Sequence, residues 1–305
     1  MSTVMNTSRA VMLDAHAAWV ENPENGQRAN MKGKTLNEAN LAGAVLRQAL
    51  LTGATMLDAN FAGADLCSAN LERADFQRAN FAGADLSGAL LENAGFSGAV
   101  LHGANLSEVK AQSTRFRSVR MQRARMLEAD VRDTSFRESD AAGCSFHHSR
   151  FYDVDFTSSK LGEAIFYHAR LQHVRLVGIA AAAASFAGSR IEHCDFSSAI
   201  LTGSKFTRAD VTQCAFRNAD LRNCDFREAK LRGGDFGRAI LAGSRFGQAT
   251  LAMADFRGAD LRDVRELTSE QLSQSLTDDR TILPNGSRGP YLRHSGAEKP
   301  SHTVR

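Results

Sequence analysis

Large apolar residues return at every fifth position along most of the chain. The phase starts at Leu36 and runs through Leu41, Leu46, Leu51, Met56 and Phe61 to Leu261 without a slip, giving 46 consecutive pentads. Their central residues are 18 Phe, 19 Leu, three Met, two Val, one Ile and three Ala (Ala111, Ala141, Ala181), and no Phe lies elsewhere. Two positions before each centre stands a small residue such as Ala39, Ala44 or Ala49, later varied to Ser, Thr, Val, Cys or Gly. The position just before the centre favours Asn and Asp (Asn60, Asp65, Asn70, Asp75), and the second position after it holds 15 of the 24 Gly once Gly33, in the same phase just before the array, is counted. All four Pro lie outside this array.

A period of five matches neither the 3.6 of a helix nor the 2 of a strand. It predicts a chain that turns a corner every five residues and sends one large and one small side chain inward each time. Gly and Asx supply the turn chemistry, and the small residue leaves room for its large neighbour. The Phe positions test the number of sides. Folded on 20 residues, Phe186, Phe206, Phe226 and Phe246 share one column, and Phe196, Phe216, Phe236 and Phe256 share the opposite one. A three-sided coil would instead stack Phe186 on Leu201. Four sides are expected, with these eight Phe as a structural core ladder.

Runs such as Ala59-Asn60-Phe61-Ala62-Gly63 and Ala64-Asp65-Leu66-Cys67-Ser68 resemble the A(D/N)LXX repeats of the bacterial pentapeptide-repeat family, and the resemblance covers roughly Lys34 to Val264. It implies an all-β fold: a right-handed quadrilateral parallel β-helix, or β-solenoid, of about 11–12 coils. At ~4.8 Å per coil that is roughly 55 Å of stacked strands. Short helices are expected at both ends, because a solenoid must hide its open edges. The first reads from Thr7 or Ser8 to about Val20, stopped by Asn22-Pro23, with Trp19 as the end-cap anchor over the first coil. At the other end Thr268-Ser269-Glu270-Gln271 reads as a capping box before a helix to about Leu276. The expected organisation is an N-terminal helical cap over 1–30, the β-helix over 31–265, a C-terminal capping helix and segment over 266–284, and a flexible tail over 285–305. Ala141 and Ala181 share a column, so Ile179 to Ala184 is expected to be a soft or bulged coil.

Composition adds little beyond bounds. The net charge is +3, and no uncharged apolar run reaches the ~20 residues of a membrane helix, so no membrane partner is expected. Five Cys without a CxxC suggest no disulfide framework and fit a reducing cytoplasm, with delivery by a specialised secretion system left open. Cys144, Cys194, Cys214 and Cys224 occupy the small inward position and read as structural; only Cys67 faces outward. No catalytic constellation, cofactor site or metal set is expected, since a narrow solenoid is filled by its own side chains.

One wall stands out once the chain is folded by twenties. Arg150, Arg170 and Arg190 stack directly, with Tyr152 beside the first, and Asp153, His173 and His193 form the next column. Like charges in adjacent strands repel unless paired or bound by an anion. Arg150, Tyr152, Arg170, His173, Arg190 and His193 are therefore the candidate partner-binding residues. His148 and His168 form a further column.

The resemblance also implies a familiar activity, topoisomerase protection by quinolone-resistance and toxin-immunity members that imitate DNA on gyrase. Here the charge departs from that pattern. Residues 31–110 carry 6 Lys and Arg against 8 Asp and Glu, and residues 111–265 carry 24 against 18. A mimic of a polymer with one negative charge per ~1.7 Å should be acidic. The surface loops of the quinolone-resistance members are absent as well. The sequence reads as a non-enzymatic scaffold for an unidentified protein partner. Gyrase binding is the alternative, and nucleic-acid binding by the basic C-terminal half is the second. The resemblance leaves homodimerisation through the C-terminal end open.

Overall fold

The computed structural model describes residues 2–300. It divides into two compact units, Met1–Asp140 and Ala141–Arg305. Within each, the chain coils as a four-sided parallel β-helix whose neighbouring coils pair at a spacing of 20 residues. In the first unit the register runs from Asn30↔Leu50 through Asn60↔Asn80 to Arg120↔Asp140. In the second it runs from Ser145↔Ile165 to Arg245↔Arg265.

Each pentad forms one side. The central residue and the small residue two before it point inward, and nearly all are shielded from solvent. The second residue after the centre turns the corner with φ near +55 to +65°, whether it is Gly63 (φ 64°) or His148 (φ 57°). The Asx before the centre accepts a hydrogen bond from the N–H two residues on, as at Asn80 to Ala82 (3.1 Å) and Asp155 to Thr157 (2.9 Å). In the first unit the same phase makes a side-chain ladder, with Asn60 Nδ2 donating to Asn40 Oδ1 and Asn80 Nδ2 to Asn60 Oδ1, both at 3.2 Å.

The predicted Phe columns are present. Rings 146, 166, 186, 206, 226 and 246 stack face to face at 4.7–5.1 Å. Rings 196, 216, 236 and 256 stack at 4.8–5.0 Å and meet the first column edge-on, as Phe186 meets Phe196 at 5.7 Å. Each ring contributes about 1.5–3 kcal/mol of apolar burial. Many Ser, Thr and Cys at the small inward position are satisfied by one recurring bond to a central carbonyl 23 residues earlier, whereas Ser189 Oγ donates to Phe186 O, three residues earlier. Thr134 Oγ1 donates to Ala111 O (2.9 Å), Ser204 Oγ to Ala181 O (2.8 Å) and Cys224 Sγ to Leu201 O (3.1 Å). Burial pushes the Cys224 thiol up to about 12 and raises that of Cys214 as well, so these cysteines are structural and unreactive. Ile179 to Ala184 is not bulged: Ala181 is fully buried, its N–H bonds Ile200 O at 2.7 Å, and the register continues at Ala180↔Ile200.

In each unit one wall has longer sides. Strands β1 (Lys110–Gln112) and β2 (Asp130–Arg132) pair in the first unit. Strands β3 (Arg150–Tyr152), β4 (Arg170–Gln172), β5 (Arg190–Glu192) and β6 (Asp210–Thr212) follow in order in the second, all parallel. The next small inward residue after each is Thr114, Thr134, Val154, Val174, Cys194 or Cys214, bulkier than the Ala94 and Gly234 at the ends of that series. Ala94 N and Gly234 N close the turn onto Leu91 O (3.0 Å) and Leu231 O (3.1 Å). At the six bulkier residues the turn bond is not made, although Cys224 and Val264 elsewhere do make it, to Leu221 O (3.2 Å) and Leu261 O (3.1 Å).

The ends depart from expectation in four places. Helix α1 spans Ser2–Glu21, beginning before Thr7. Its buried anchor is His16, at 0% exposure; Trp19 is half-buried, stacked on His16 at 5.5 Å and covered by Arg28. The reason lies in the docking contact. Gly26 brings the chain against the helix backbone, and Ala29 N–H reaches His16 Nδ1 at 3.0 Å. The C-terminal helix α2, Ser269–Ser273, has the predicted capping box but stops short of Leu276, which returns to the coil as a partner of Asp255. Gln271 Nε2 also donates to Phe246 O (2.9 Å) and Ala249 O (2.8 Å), closing carbonyls of the coil. Residues 285–300 are not a loose tail: Tyr291 Oη donates to Ser269 Oγ at 2.6 Å, Ile282 pairs with Arg288, and Ala297 is buried. Residues 301–305 of the expected tail lie outside the described residues.

His16 makes the N-terminal cap sensitive to acid. Burial lowers its pKa below 6.5; the Arg47 carbonyl opposes this and the charge of Arg28 adds to it. Its Nε2 is buried without a hydrogen-bond partner. The undocked state therefore binds more protons, so docking is at full strength above pH ~6.5 and weakens as pH falls from there through the lowered value. Emission from Trp19, the single Trp, should shift reversibly between pH 7.5 and 5, and a His16→Gln variant should show no such shift. An unchanged wild-type signal would refute this.

Candidate functional site

The repeat neutralises part of its own surface charge. Where Asp precedes a centre and Arg follows it, the two meet across the intervening residue: Arg222–Asp220 (2.5 Å), Arg227–Asp225 (2.6 Å), Arg257–Asp255 (2.6 Å) and Arg262–Asp260 (2.6 Å). The Arg hydrogen bond is the main cause holding the Asp220 and Asp255 carboxyls below their ordinary value. A depression of about 570 Å³ near the C-terminal coils is lined by such pairs, Arg217 on Asp235, Arg257 on Asp255 and Arg280 on Asp278. Three of the four guanidiniums lining it are occupied in this way, and Arg238 has no carboxylate partner among the described residues.

The wall of β3 to β5 differs. Arg150, Arg170 and Arg190 stand in register, all exposed, at the first position of their strands. Arg190 is held by Glu192 at 2.6 Å, but Arg150 and Arg170 have no carboxylate partner among the described residues. The series ends where Arg190 pairs in register with Asp210, which meets Lys230 at 3.6 Å. At the third strand position Tyr152, Gln172 and Glu192 are in register, and the Tyr152 ring is 43% exposed.

Two histidine columns frame this wall at its corners. His173 stacks on His193 at 5.2 Å and 11°, and Tyr152 meets His173 edge-on at 5.8 Å. At the other corner His148 stacks on His168 at 5.5 Å, with Tyr167 edge-on to His168 at 4.1 Å. The next corner residue there is Gly188, and it has to be small. The His168 ring lies over it, Nδ1 3.1 Å from Gly188 O, where a Cβ would come within 2.8 Å of the ring. His147, beside this column, has its pKa lowered by burial and by His148 and His168. Among the described residues no three His, Cys, Asp or Glu converge in a way that would hold a metal ion.

All six residues named from the sequence thus fall on β3–β5 or the corner that follows. The sequence reading missed the engagement of Arg190 by Glu192, which depends on side-chain conformation. It also missed the open corner that follows each of these strands.

The family model described as "Pentapeptide repeats (8 copies)" matches residues 29–66, 56–93, 84–123, 96–137, 120–157, 129–166 and 235–265, and "Pentapeptide repeat region" matches 149–226. Among solved structures, the chain is similar to HetL of Nostoc sp. strain PCC 7120, a pentapeptide repeat protein involved in heterocyst differentiation regulation. Identity is 21%, over 89% of this chain and 96% of that one, with a TM-score of 0.37. A pentapeptide repeat protein of the Arabidopsis thaliana thylakoid lumen is 26% identical over 39% of this chain and 83% of that one, TM-score 0.35. The plasmid-mediated fluoroquinolone resistance protein QnrB1 is 17% identical over 67% and 92%, TM-score 0.35. No curated protein matches the sequence.

Proposed function

Because this chain belongs to the pentapeptide-repeat family, whose model matches more than half of its residues, we propose that it is a non-enzymatic scaffold that binds an acidic protein partner. The contact surface is the wall of β3, β4 and β5. One observation carries this reading: Arg150 and Arg170 stand in register on adjacent strands, exposed and without a carboxylate partner among the described residues, beside the aromatic ring of Tyr152. Two neighbouring guanidiniums can take a carboxylate bidentately and gain an anion between them. Tyr152 beside them supplies contact area of the type enriched at interfaces. The five unbridged cysteines fit a reducing compartment such as the bacterial cytoplasm.

Topoisomerase binding by DNA mimicry is disfavoured, because the surplus of cations over 111–265 has the wrong sign for a phosphate-backbone imitation. The test compares partners retained by the wild type with those retained by a variant carrying Arg150→Glu and Arg170→Glu. Lys160→Glu, on the opposite wall, serves as the charge control. Loss of a defined partner from the double variant alone is expected. Equal retention by all three proteins would dismiss the wall.

A further inference from the structure

The first unit carries a second departure from self-neutralisation, independent of the wall of β3–β5. Residues 110–125 contain Lys110, Arg115, Arg117, Arg120, Arg123 and Arg125 and no Asp or Glu. All six are exposed. Arg117 pairs with Glu138 at 3.0 Å, and the other five have no ion-pair partner among the described residues.

The arrangement follows from where these cations sit in the repeat. Lys110, Arg115, Arg120 and Arg125 occupy the position before the centre on four successive sides, one on each side of a single coil. Where that position is Asp or Asn it caps the N–H two residues on and, as Asp, can neutralise an Arg two residues on; elsewhere a cation there occurs singly or, at Arg170 and Arg175, on two successive sides. Here the neutralising position is itself a cation four times in a row. The local rule of the repeat is given up around one entire coil, at the cost of its turn caps and of mutual repulsion.

The neighbouring carboxylates cancel little of this charge: Asp85 feels the charge of Arg125 but forms no ion pair with it. Asp130, in register with Lys110, is held by Arg132 at 2.8 and 3.0 Å, and Glu138 by Arg117. Asp140 lies in backbone register with Arg120, and Asp75 lies near the Arg115 guanidinium across Gly95 without forming an ion pair.

We propose that this coil is a collar that binds a flexible phosphate polymer, either single-stranded nucleic acid or inorganic polyphosphate. A rigid, flat partner could meet the cations of only one or two sides. A flexible chain can follow them around corners. Phosphate supplies closely spaced negative charge for guanidiniums whose hydrogen-bonding edges are free. No aromatic side chain of residues 110–125 is exposed, since Phe116 is buried, so bases have no stacking platform and binding is independent of sequence.

The test uses the full chain and a triple variant, Arg115→Asn, Arg120→Asn and Arg125→Asn. Asn is the repeat's own residue at this position, so the variant should keep its thermal midpoint. Binding is read by anisotropy with a labelled oligothymidylate of about 30 nucleotides, with inorganic polyphosphate and poly-glutamate as separate competitors. The wild type should bind the oligonucleotide, polyphosphate or both at 50 mM salt, and the polymer bound identifies the source. The triple variant should bind about tenfold or more weakly, and its salt slope should be shallower by about 2 for the loss of three phosphate contacts. The proposal is overturned if neither phosphate polymer binds, if the triple variant binds unchanged, or if poly-glutamate competes as well as polyphosphate.

Discussion

Replacing Phe206 by Ala is expected to remove about 3–5 kcal/mol of stability from the second unit. The ring is fully buried and sits in the middle of its column, 4.9 Å from Phe186 and 5.0 Å from Phe226, with edge contacts to Phe196 at 6.2 Å and Phe216 at 6.0 Å. Four aromatic partners lose a neighbour at once, and the 20-residue register leaves no side chain free to move into the gap. Each stacked or edge-on pair adds about 0.5–1.5 kcal/mol beyond area burial. Phe206→Leu should recover more than half of the loss, because Leu already fills central positions such as Leu201 and Leu221. The urea midpoint of the two variants measures this directly. A Phe206→Ala midpoint within error of wild type would mean that the column does not hold the coils together.

The second large effect is expected at Gly26. A Cβ built there would lie 2.2 Å from the Ala15 carbonyl oxygen and 2.3 Å from the Trp19 nitrogen. Both are helix backbone, so no rotamer change relieves the clash and the helix itself must move. Gly26→Ala should therefore release α1, breaking the Gln27 N–H bond to Ala15 O (2.9 Å) and exposing His16. Overpacking costs of about 1–3 kcal/mol apply where neighbours yield; a backbone collision belongs at or above the top of that range. Trp19 emission at neutral pH should take the value that the wild type reaches only in acid. An unchanged spectrum, together with unchanged protease resistance of residues 2–21, would show that α1 docks some other way.

These two residues also mark what the sequence could reveal. Phe206 was legible because an inward position recurs without a slip, so arithmetic alone places it above Phe186. The four-sided coil, the capping box at Thr268 and the stacking of Arg150 on Arg170 followed from the same arithmetic. Gly26 was not legible, because it lies before the array, where no period fixes which helix face meets the coil. The hydrophobic Trp19 drew attention there, whereas the chain used a neutral, buried histidine. Residues 285–300 were misread for a related reason: their contacts, such as Tyr291 on Ser269, join single side chains over distances no repeat announces.

Charge was legible only at the resolution at which it was counted. Averaged over residues 111–265, the surplus of cations looked diffuse. Placed on the coils, part of it cancels in Asp–Arg pairs, and the cations that stay unpaired include two clusters, Arg150 with Arg170 and the collar at 110–125. The division at Asp140/Ala141 left no mark on the pentad phase, which passes through it unbroken.

The central claim is that the wall of β3–β5 touches a partner through its unpaired cations. The most direct measurement places a photoreactive side chain at position 152, in place of the exposed Tyr152, and a second at position 160 on the opposite wall. Illumination in the native host should give one defined adduct from position 152 and none from position 160. The adduct should disappear when Arg150 and Arg170 are both changed to Glu. An adduct from position 152 that survives both charge reversals, or no adduct there at all, would contradict the account.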